Sequence, residues 1–412
     1  MKLSYLILPA ALLFAGCQTD SSDDNFTICP APASTPSIKS ATGIEYPQPD
    51  GSQALSTNGA QAVWQILQKI DPKQALEMGE TEITDAQFAE IKDFVDKNLK
   101  EGNDYYKTYR NIFEWITKNV SYAWSDPAYL KPYEVFKYKR CVCQGYANLL
   151  KTMLLTQGIP CFIANGWLVP AGGHAWNYVY ADGEWYVSDP TNNAEYEASS
   201  LSTYQSKLVP IRMDFTLFED DQFTYNYQES RLNVQSVKIT ADESVTVPYS
   251  VSGLQISSFQ PTEEIPSSIT QLIVGRNITT FGNNPESLIH QCPLLEAVEV
   301  DPQNSELESY KGVVYYKGQE YPYYVPAGIR RVELRPMEVM DKNTLYYLDN
   351  LEEIVVADGT KRIEDYAVER CPNLKRIYVP SSVTYISPEA FAECGNYEII
   401  RTTTGIHEVT VN

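Results

Sequence analysis

Apolar positions repeat with one period early in the chain, another in the middle and a third towards the end. From Ala60 onward Val63, Ile66, Leu67 and Ile70 recur at helical spacing until Pro72, which predicts a helix ending there. A second stripe, Phe88, Ile91, Phe94, Val95 and Leu99, begins near Thr84-Asp85 and stops at Gly102-Asn103. The third runs through Tyr109, Ile112, Phe113, Ile116 and Val120, after which Ser121-Tyr122 leaves the helix. Ala147, Leu150, Met153 and Leu154 predict a fourth helix from about Cys143 to Gln157, closed by Gly158-Ile159-Pro160. These stripes are read as core faces, because amphipathic helices bury one side.

Beyond the fourth helix the period shortens. Cys161 to Trp167 reads as a strand, and His174–Tyr180 and Glu184–Asp189 flank Asp182-Gly183, the strongest short hairpin signal. With a two-residue turn, Ala181 faces Glu184 and paired positions sum to 365, so Asp189 stands opposite Trp176. His174 and Asp189 then share one face as diagonal neighbours, roughly 7 Å apart or less at Cβ. Phe223, Tyr225 and Tyr227 alternate within Phe215–Val237 and predict further strands.

The last third repeats. Leu348-Asp-Asn-Leu351-Glu-Glu-Ile354-Val-Val356 recurs 23 residues later as Cys371-Pro-Asn-Leu374-Lys-Arg-Ile377-Tyr-Val379, and Cys394 stands 23 residues further on. Ile363 and Ala367 match Ile386 and Ala390 at the same offset, and Cys292-Pro-Leu-Leu295-Glu-Ala-Val298-Glu-Val300 is an earlier copy. An insert that includes a Val313–Tyr324 hairpin separates the copies. Units this short cannot bury an apolar face alone, so they must stack into a solenoid, with Cys292, Cys371 and Cys394 as small core residues. The array, from about Glu263 to Ile400, resembles the BspA-like leucine-rich repeats of bacterial surface proteins.

At the front, Lys2 precedes an apolar run to Leu13-Phe14-Ala15-Gly16-Cys17, too short to span a bilayer and typical of a secretory signal. Leu13 to Cys17 resembles a lipobox, which implies lipidation of Cys17; the alternative is an ordinary signal peptide with an incidental cysteine. Ser and Asp clustered in Gln18–Asp24 resemble the acidic signal that carries lipoproteins to the outer face of the outer membrane. The expectation is an outer membrane lipoprotein exposed at the cell surface and held to the membrane by its lipid anchor only.

The formal net charge is −21, or −22 once residues 1–16 and Lys2 are removed, which disfavours nucleic acid as a partner. Eight cysteines less Cys17 leave seven, an odd number that argues against a disulfide framework. The expected division is a signal peptide at 1–16, a flexible tether at 17–57, a first domain at 58–238, a linker or start of repeats at 239–262, and repeats at 263–412.

Cys143, His174 and Asp189 supply a thiol, an imidazole and a carboxylate in an order that nucleophilic catalysis uses. The start of a helix favours an anion, so a thiolate at Cys143 is stabilised there. His174 can take and return the proton while Asp189 orients the ring, so attack on an amide or peptide carbonyl gives an acyl-enzyme. Cys143-Gln-Gly145-Tyr-Ala147, His174-Ala-Trp176-Asn177 and Trp185–Pro190 resemble the three signatures of the transglutaminase-like superfamily, and Arg110–Tyr122 resembles the helix and strand before them. The resemblance implies an α+β, papain-like core with Cys143 as nucleophile, His174 as base and Asp189 as orienting acid, followed by the repeat solenoid. Cys141 stands where the pattern usually has Gly, which either crowds the turn or places a second thiol nearby.

The sequence does not fix the oxyanion hole, for which the Cys143 N–H and, by position alone, Tyr122 are candidates. A zinc site of Cys141, Cys143, Cys161 and His174 is disfavoured by the Cys-x-Cys spacing, so neither metal nor cofactor is expected. The expected substrate is a protein, peptide or cell-wall polymer, with a host or surface ligand on the repeats. The rival reading is a non-catalytic adhesin, or glycan-binding or protein-binding protein, with a degenerate transglutaminase-like scaffold.

Overall fold

The computed structural model describes residues 37–39, 43–76, 82–238, 243–261, 268–281 and 292–402. The expected signal peptide, Cys17 and Gln18–Asp24 lie outside them. The first helix, α1 (Gly59–Leu67), is capped by the Asn58 side chain and ends earlier than its stripe, although Ile70 is still buried. α2 (Asp85–Asn98) opens with a reciprocal capping box between Thr84 and Gln87, and α3 (Tyr105–Asn119) with Asp104 as cap. A short helix absent from the sequence reading, α4 (Pro132–Tyr138), starts on Pro132 and stops at Lys139, whose φ is +56°. α5 (Cys143–Leu155) follows the prediction closely.

Two short parallel strands, β1 (Ser121–Tyr122) and β2 (Arg140–Cys141), precede α5. The main sheet has ten strands. At its centre β3 (Cys161–Leu168) pairs antiparallel with β4 (Gly172–Ala181), which pairs with β5 (Glu184–Asp189) and then β6 (Ala194–Glu197). On the far side of β3 come β7 (Leu208–Met213), β8 (Phe223–Gln228) and β9 (Arg231–Val237). Ala181 faces Glu184 as the turn chemistry predicts, with Asp182 and Gly183 both at positive φ.

Alternation along β3 sends its side chains to two cores. Cys161 joins Val179, Ala181 and the apolar faces of α2 to α5, including Ile91, Ile116, Val135, Leu150 and Leu154. Phe162 and Ala164 face the opposite way, against Trp176, Tyr178, Trp185 and the Val63–Ile66 face of α1. Helices on both sides thus clamp the strand pair that carries His174.

The sheet does not end with β9. β10 (Leu254–Phe259) adds to it in parallel, with Leu232 opposite Ile256, and Asn233 donates to the Gln260 carbonyl at 3.0 Å. The expected linker, 239–262, therefore carries strands over much of its described length. Part of the expected tether also packs down: Tyr46 is buried, and Gln53 exchanges main-chain hydrogen bonds with Gly253 and Gln255. Its apolar Tyr46 and Leu55 find core to cover, which a purely polar tether would not.

From Arg331 onward the chain coils into a β-solenoid. Arg331–Glu333, Glu353–Val355, Arg376–Pro380 and Glu398–Thr402 form one parallel ladder, and two shorter parallel ladders run beside it. Leu348, Leu351, Ile354, Ile363, Ala367, Cys371, Leu374 and Ile377 fill the interior. The 23-residue period is written in the backbone: Tyr347, Arg370 and Glu393 all take left-handed φ. This strain is tolerated at Tyr347 and Arg370 because each N–H reaches a carbonyl of the next coil, Glu369 and Ala392. Ser244–Thr246, Gln271–Val274 and Ala297–Val300 form an earlier parallel ladder, and between it and the later coils Leu307–Tyr310, Val313–Tyr316 and Pro322–Tyr324 make a three-stranded antiparallel insert.

Candidate active site

Three pieces of chain meet at Cys143. β2 brings the chain in extended form, Val142 is extended, and Cys143 is the first residue of α5. The two thiols of Cys141-Val-Cys143 therefore part company. Cys141 points into the helical core, fully buried, and burial with the nearby Cys143 charge pushes its thiol up to about 12. Burial and the raised pKa both disfavour it as a competing nucleophile.

Gly145 is the reason this fit is possible. A Cβ there would lie 2.5 Å from both the Cys141 Cβ and the Tyr129 carbonyl oxygen. Replacing Gly145 by Ala is expected to cost about 3 kcal/mol, at the upper end of overpacking losses, since one of the two obstacles is backbone. Thermal melting of Gly145→Ala together with its Cys143 alkylation rate checks this; an unchanged melt would contradict it.

Cys143 is half-buried, and burial alone would raise its pKa. The hydrogen bond and charge of His174 overcome that, helped by the Ala175 and Gln144 N–H groups, so the thiol lies below its ordinary value. His174 Nε2 lies 2.6 Å from Asp189 Oδ2, which leaves Nδ1 as the nitrogen for the thiol. Burial would push the imidazole down, but its hydrogen bonds to Asp189 and Cys143 raise it to about 9. The same contact raises the imidazole and lowers the thiol, the direction that favours a thiolate beside an imidazolium.

Asp189 is completely buried yet its carboxyl is held below the ordinary range. Burial opposes this, and His174, Tyr204 and Asn192 outweigh it. The Tyr204 hydroxyl and the Asn192 amide both donate to Oδ2, the latter at 3.0 Å, while the Asn192 N–H reaches Oδ1 at 3.3 Å. Neither residue was read from the sequence. Asn192 follows Asp189 by three positions in a tight turn, a legible signal, whereas Tyr204 comes from a distant loop that nothing local marks. Trp176 lies fully buried under the His174 ring, with centroids 6.0 Å apart.

Tyr122 sits on β1 beside Cys141, and burial with the Cys143 and Cys141 charges raises its hydroxyl. The four residues weighed as a zinc site are not gathered: Cys161 lies in the core, where the Asn177 amide contacts its sulfur at 3.4 Å. Among the described residues no group of three or more His, Cys, Asp or Glu is arranged to hold a metal.

Residues 92–190 match the transglutaminase-like superfamily, and residues 335–412 match the BspA type leucine-rich repeat region in six copies. The chain joins a transglutaminase-like core to BspA-type repeats. Kyphoscoliosis peptidase of Mus musculus is 25% identical across 33% of this chain, and its Homo sapiens counterpart has the same identity. The chain spans 23% of the length of these curated relatives. Among solved structures, a putative cysteine protease from Cytophaga hutchinsonii is similar at 21% identity and a TM-score of 0.24, covering 27% of this chain and 41% of that one. A leucine-rich repeat protein from Eubacterium ventriosum is similar at 16% identity and a TM-score of 0.25, covering 38% of this chain and 42% of that one. The transglutaminase-like core spans α2 to β5, the elements that bring Cys143, His174 and Asp189 together.

Proposed function

We propose that this protein is a surface lipoprotein enzyme that attacks amide or peptide bonds with Cys143 and passes through an acyl-enzyme. The observation that carries the reading is the buried Asp189 carboxylate on His174 Nε2, with the opposite ring nitrogen left for a thiol whose pKa is lowered. Cys143 adds to the carbonyl carbon, and the imidazolium of His174 returns its proton to the departing amine. Water or a second amine then releases the acyl group, giving hydrolysis or transfer. The repeats serve to dock a protein, peptide or cell-wall target.

Alkylation tests the nucleophile without a known substrate. Iodoacetamide should label Cys143 well below the ordinary thiol range of about 8.5, and His174→Ala should erase that low-pH reactivity. Turnover of any amide substrate should be bell-shaped. Its acid limb follows the lowered Cys143 pKa, and its alkaline limb falls as His174 loses its proton through about 9. Ordinary alkylation that ignores His174→Ala would move the assignment to a binding protein, a reading also supported by exposed Tyr347 and Tyr385 on the repeats.

The lipid anchor has its own test. Cells fed an alkynyl fatty acid should label the chain, and Cys17→Ala should abolish the label and release the protein from membranes. Labelling that survives Cys17→Ala would refute the anchor.

A further inference from the structure

Two cysteines of the solenoid stand one above the other. Val368–Glu369 pairs in parallel with Phe391–Ala392, Val368 opposite Phe391 and Glu369 opposite Ala392. The same offset of 23 residues places Cys371 beside Cys394. Main-chain hydrogen bonds hold that alignment past the strands, with Arg370 N–H on the Ala392 carbonyl and Gly395 N–H on the Cys371 carbonyl at 3.2 Å. Gly395 allows it, because a Cβ there would run into the Pro372 carbonyl. Neighbouring parallel strands lie about 4.8 Å apart, inside the Cα separation of roughly 4.4–6.8 Å that a disulfide requires.

We infer that Cys371 and Cys394 form a redox-active dithiol, closed by exchange with a low-molecular-weight disulfide into a bond that staples the last two coils. The two thiols lie close enough to act on each other's ionisation, while Cys371 Sγ reaches the Glu369 carbonyl at 3.6 Å and Cys394 Sγ the Ala392 carbonyl at 3.4 Å. Their exposures divide the work. Cys371 is fully buried, whereas Cys394 is only partly buried at the edge of the same core, so of the two it is the one an external disulfide can reach. Contact with Cys371 draws the Cys394 thiol down to about 7, and contact with Cys394 together with burial pushes Cys371 up. The more exposed Cys394 is thus the attacking thiol and the buried Cys371 the resolving one.

The electrons balance. The Cys394 thiolate attacks one sulfur of the external disulfide and expels one thiolate, leaving a mixed disulfide. Cys371 gives up its proton and attacks the Cys394 sulfur, expelling the second thiolate. Two cysteines are oxidised and one disulfide becomes two thiols. Cys292, the third repeat cysteine, is buried, raised to about 12, and has no matching cysteine on the next coil. The closed bond would pin the coil that carries Glu398–Thr402, the last strand of the long ladder among the described residues.

The inference stands apart from the proposed chemistry at Cys143 and is tested on the full chain. Reduced protein is equilibrated with oxidised and reduced glutathione at increasing ratio, quenched in acid, alkylated and mapped by mass spectrometry. The expected product is a linked pair of peptides bearing Cys371 and Cys394, two hydrogens lighter than the separate thiols and free of glutathione. In Cys371→Ser, Cys394 should retain a glutathione adduct; in Cys394→Ser, Cys371 should stay reduced. Alkylation of both cysteines in the unsubstituted chain, under a ratio that already caps Cys143, would overturn the inference. So would a stable glutathione adduct on Cys394 with Cys371 intact.

Discussion

Asp189→Asn should lower amide turnover by about a thousandfold to ten-thousandfold with little change in the fold, the size of effect seen when the orienting carboxylate of a nucleophile–histidine pair is neutralised. Asp189 accepts from the His174 ring, the Tyr204 hydroxyl and both donors of Asn192, and it has no exposed surface to fall back on. An asparagine there presents an NH2 to a pocket of donors. Either that amide turns towards His174 and forces Nε2 to be an acceptor, or its oxygen does and the NH2 confronts Tyr204 and Asn192. In the first case the proton moves to Nδ1, the nitrogen that must receive the thiol proton. In both cases the negative charge that holds His174 up to about 9 is gone, so the imidazole falls and the Cys143 thiol rises. The predicted signature is a joint one: lost turnover, and a Cys143 alkylation curve shifted towards higher pH. Lost turnover with an unshifted curve would place the role of Asp189 elsewhere than on the ring.

Cutting the chain after Lys238 should unfold the transglutaminase-like core. Sequence similarity to that superfamily stops at residue 190, so a shorter piece looks self-sufficient. The packing says otherwise. β10 is a strand of the same sheet, and Leu254, Ile256 and Phe259 are buried in the cluster that holds Phe162, Trp176, Tyr225 and Tyr227. Burying such side chains is worth roughly 1.5–3 kcal/mol each, so three of them match much of the roughly 5–15 kcal/mol by which a domain is stable. Truncation also strips the partners of Asn233, a 2% exposed amide whose oxygen accepts from Ser258 and whose NH2 reaches Gln260. A fragment of residues 37–238 should be insoluble or melt far below the full chain. A cooperative melt at the temperature of the intact protein would show the two parts to be independent.

The same join bears on the proposed docking by the repeats. One apolar cluster runs from Phe162 through Leu272 and Val298 to Ala327, so a target docked on the neighbouring coils would be presented at a fixed place, whereas one held across a flexible linker would only be concentrated nearby.

What the sequence determined by itself is local or periodic. Asp182-Gly183 set the hairpin turn, and the parity of a pleated strand put His174 and Asp189 on one face. Gly158, the apolar stripe and the helix start placed Cys143 at the head of α5, and a strict 23-residue recurrence dictated stacked coils. These follow from backbone sterics and from burying one face, which short stretches encode. Only the tertiary structure decided the rest. Of two thiols two residues apart, one is buried with its pKa raised and the other half-buried with its pKa lowered, because a strand residue faces the core and the first helix residue faces His174. Tyr204 became a donor to Asp189, and residues 254–259 an extension of the main sheet, through contacts between separate segments. Such contacts leave no periodic trace, since either partner alone is an ordinary tyrosine or an ordinary alternating strand.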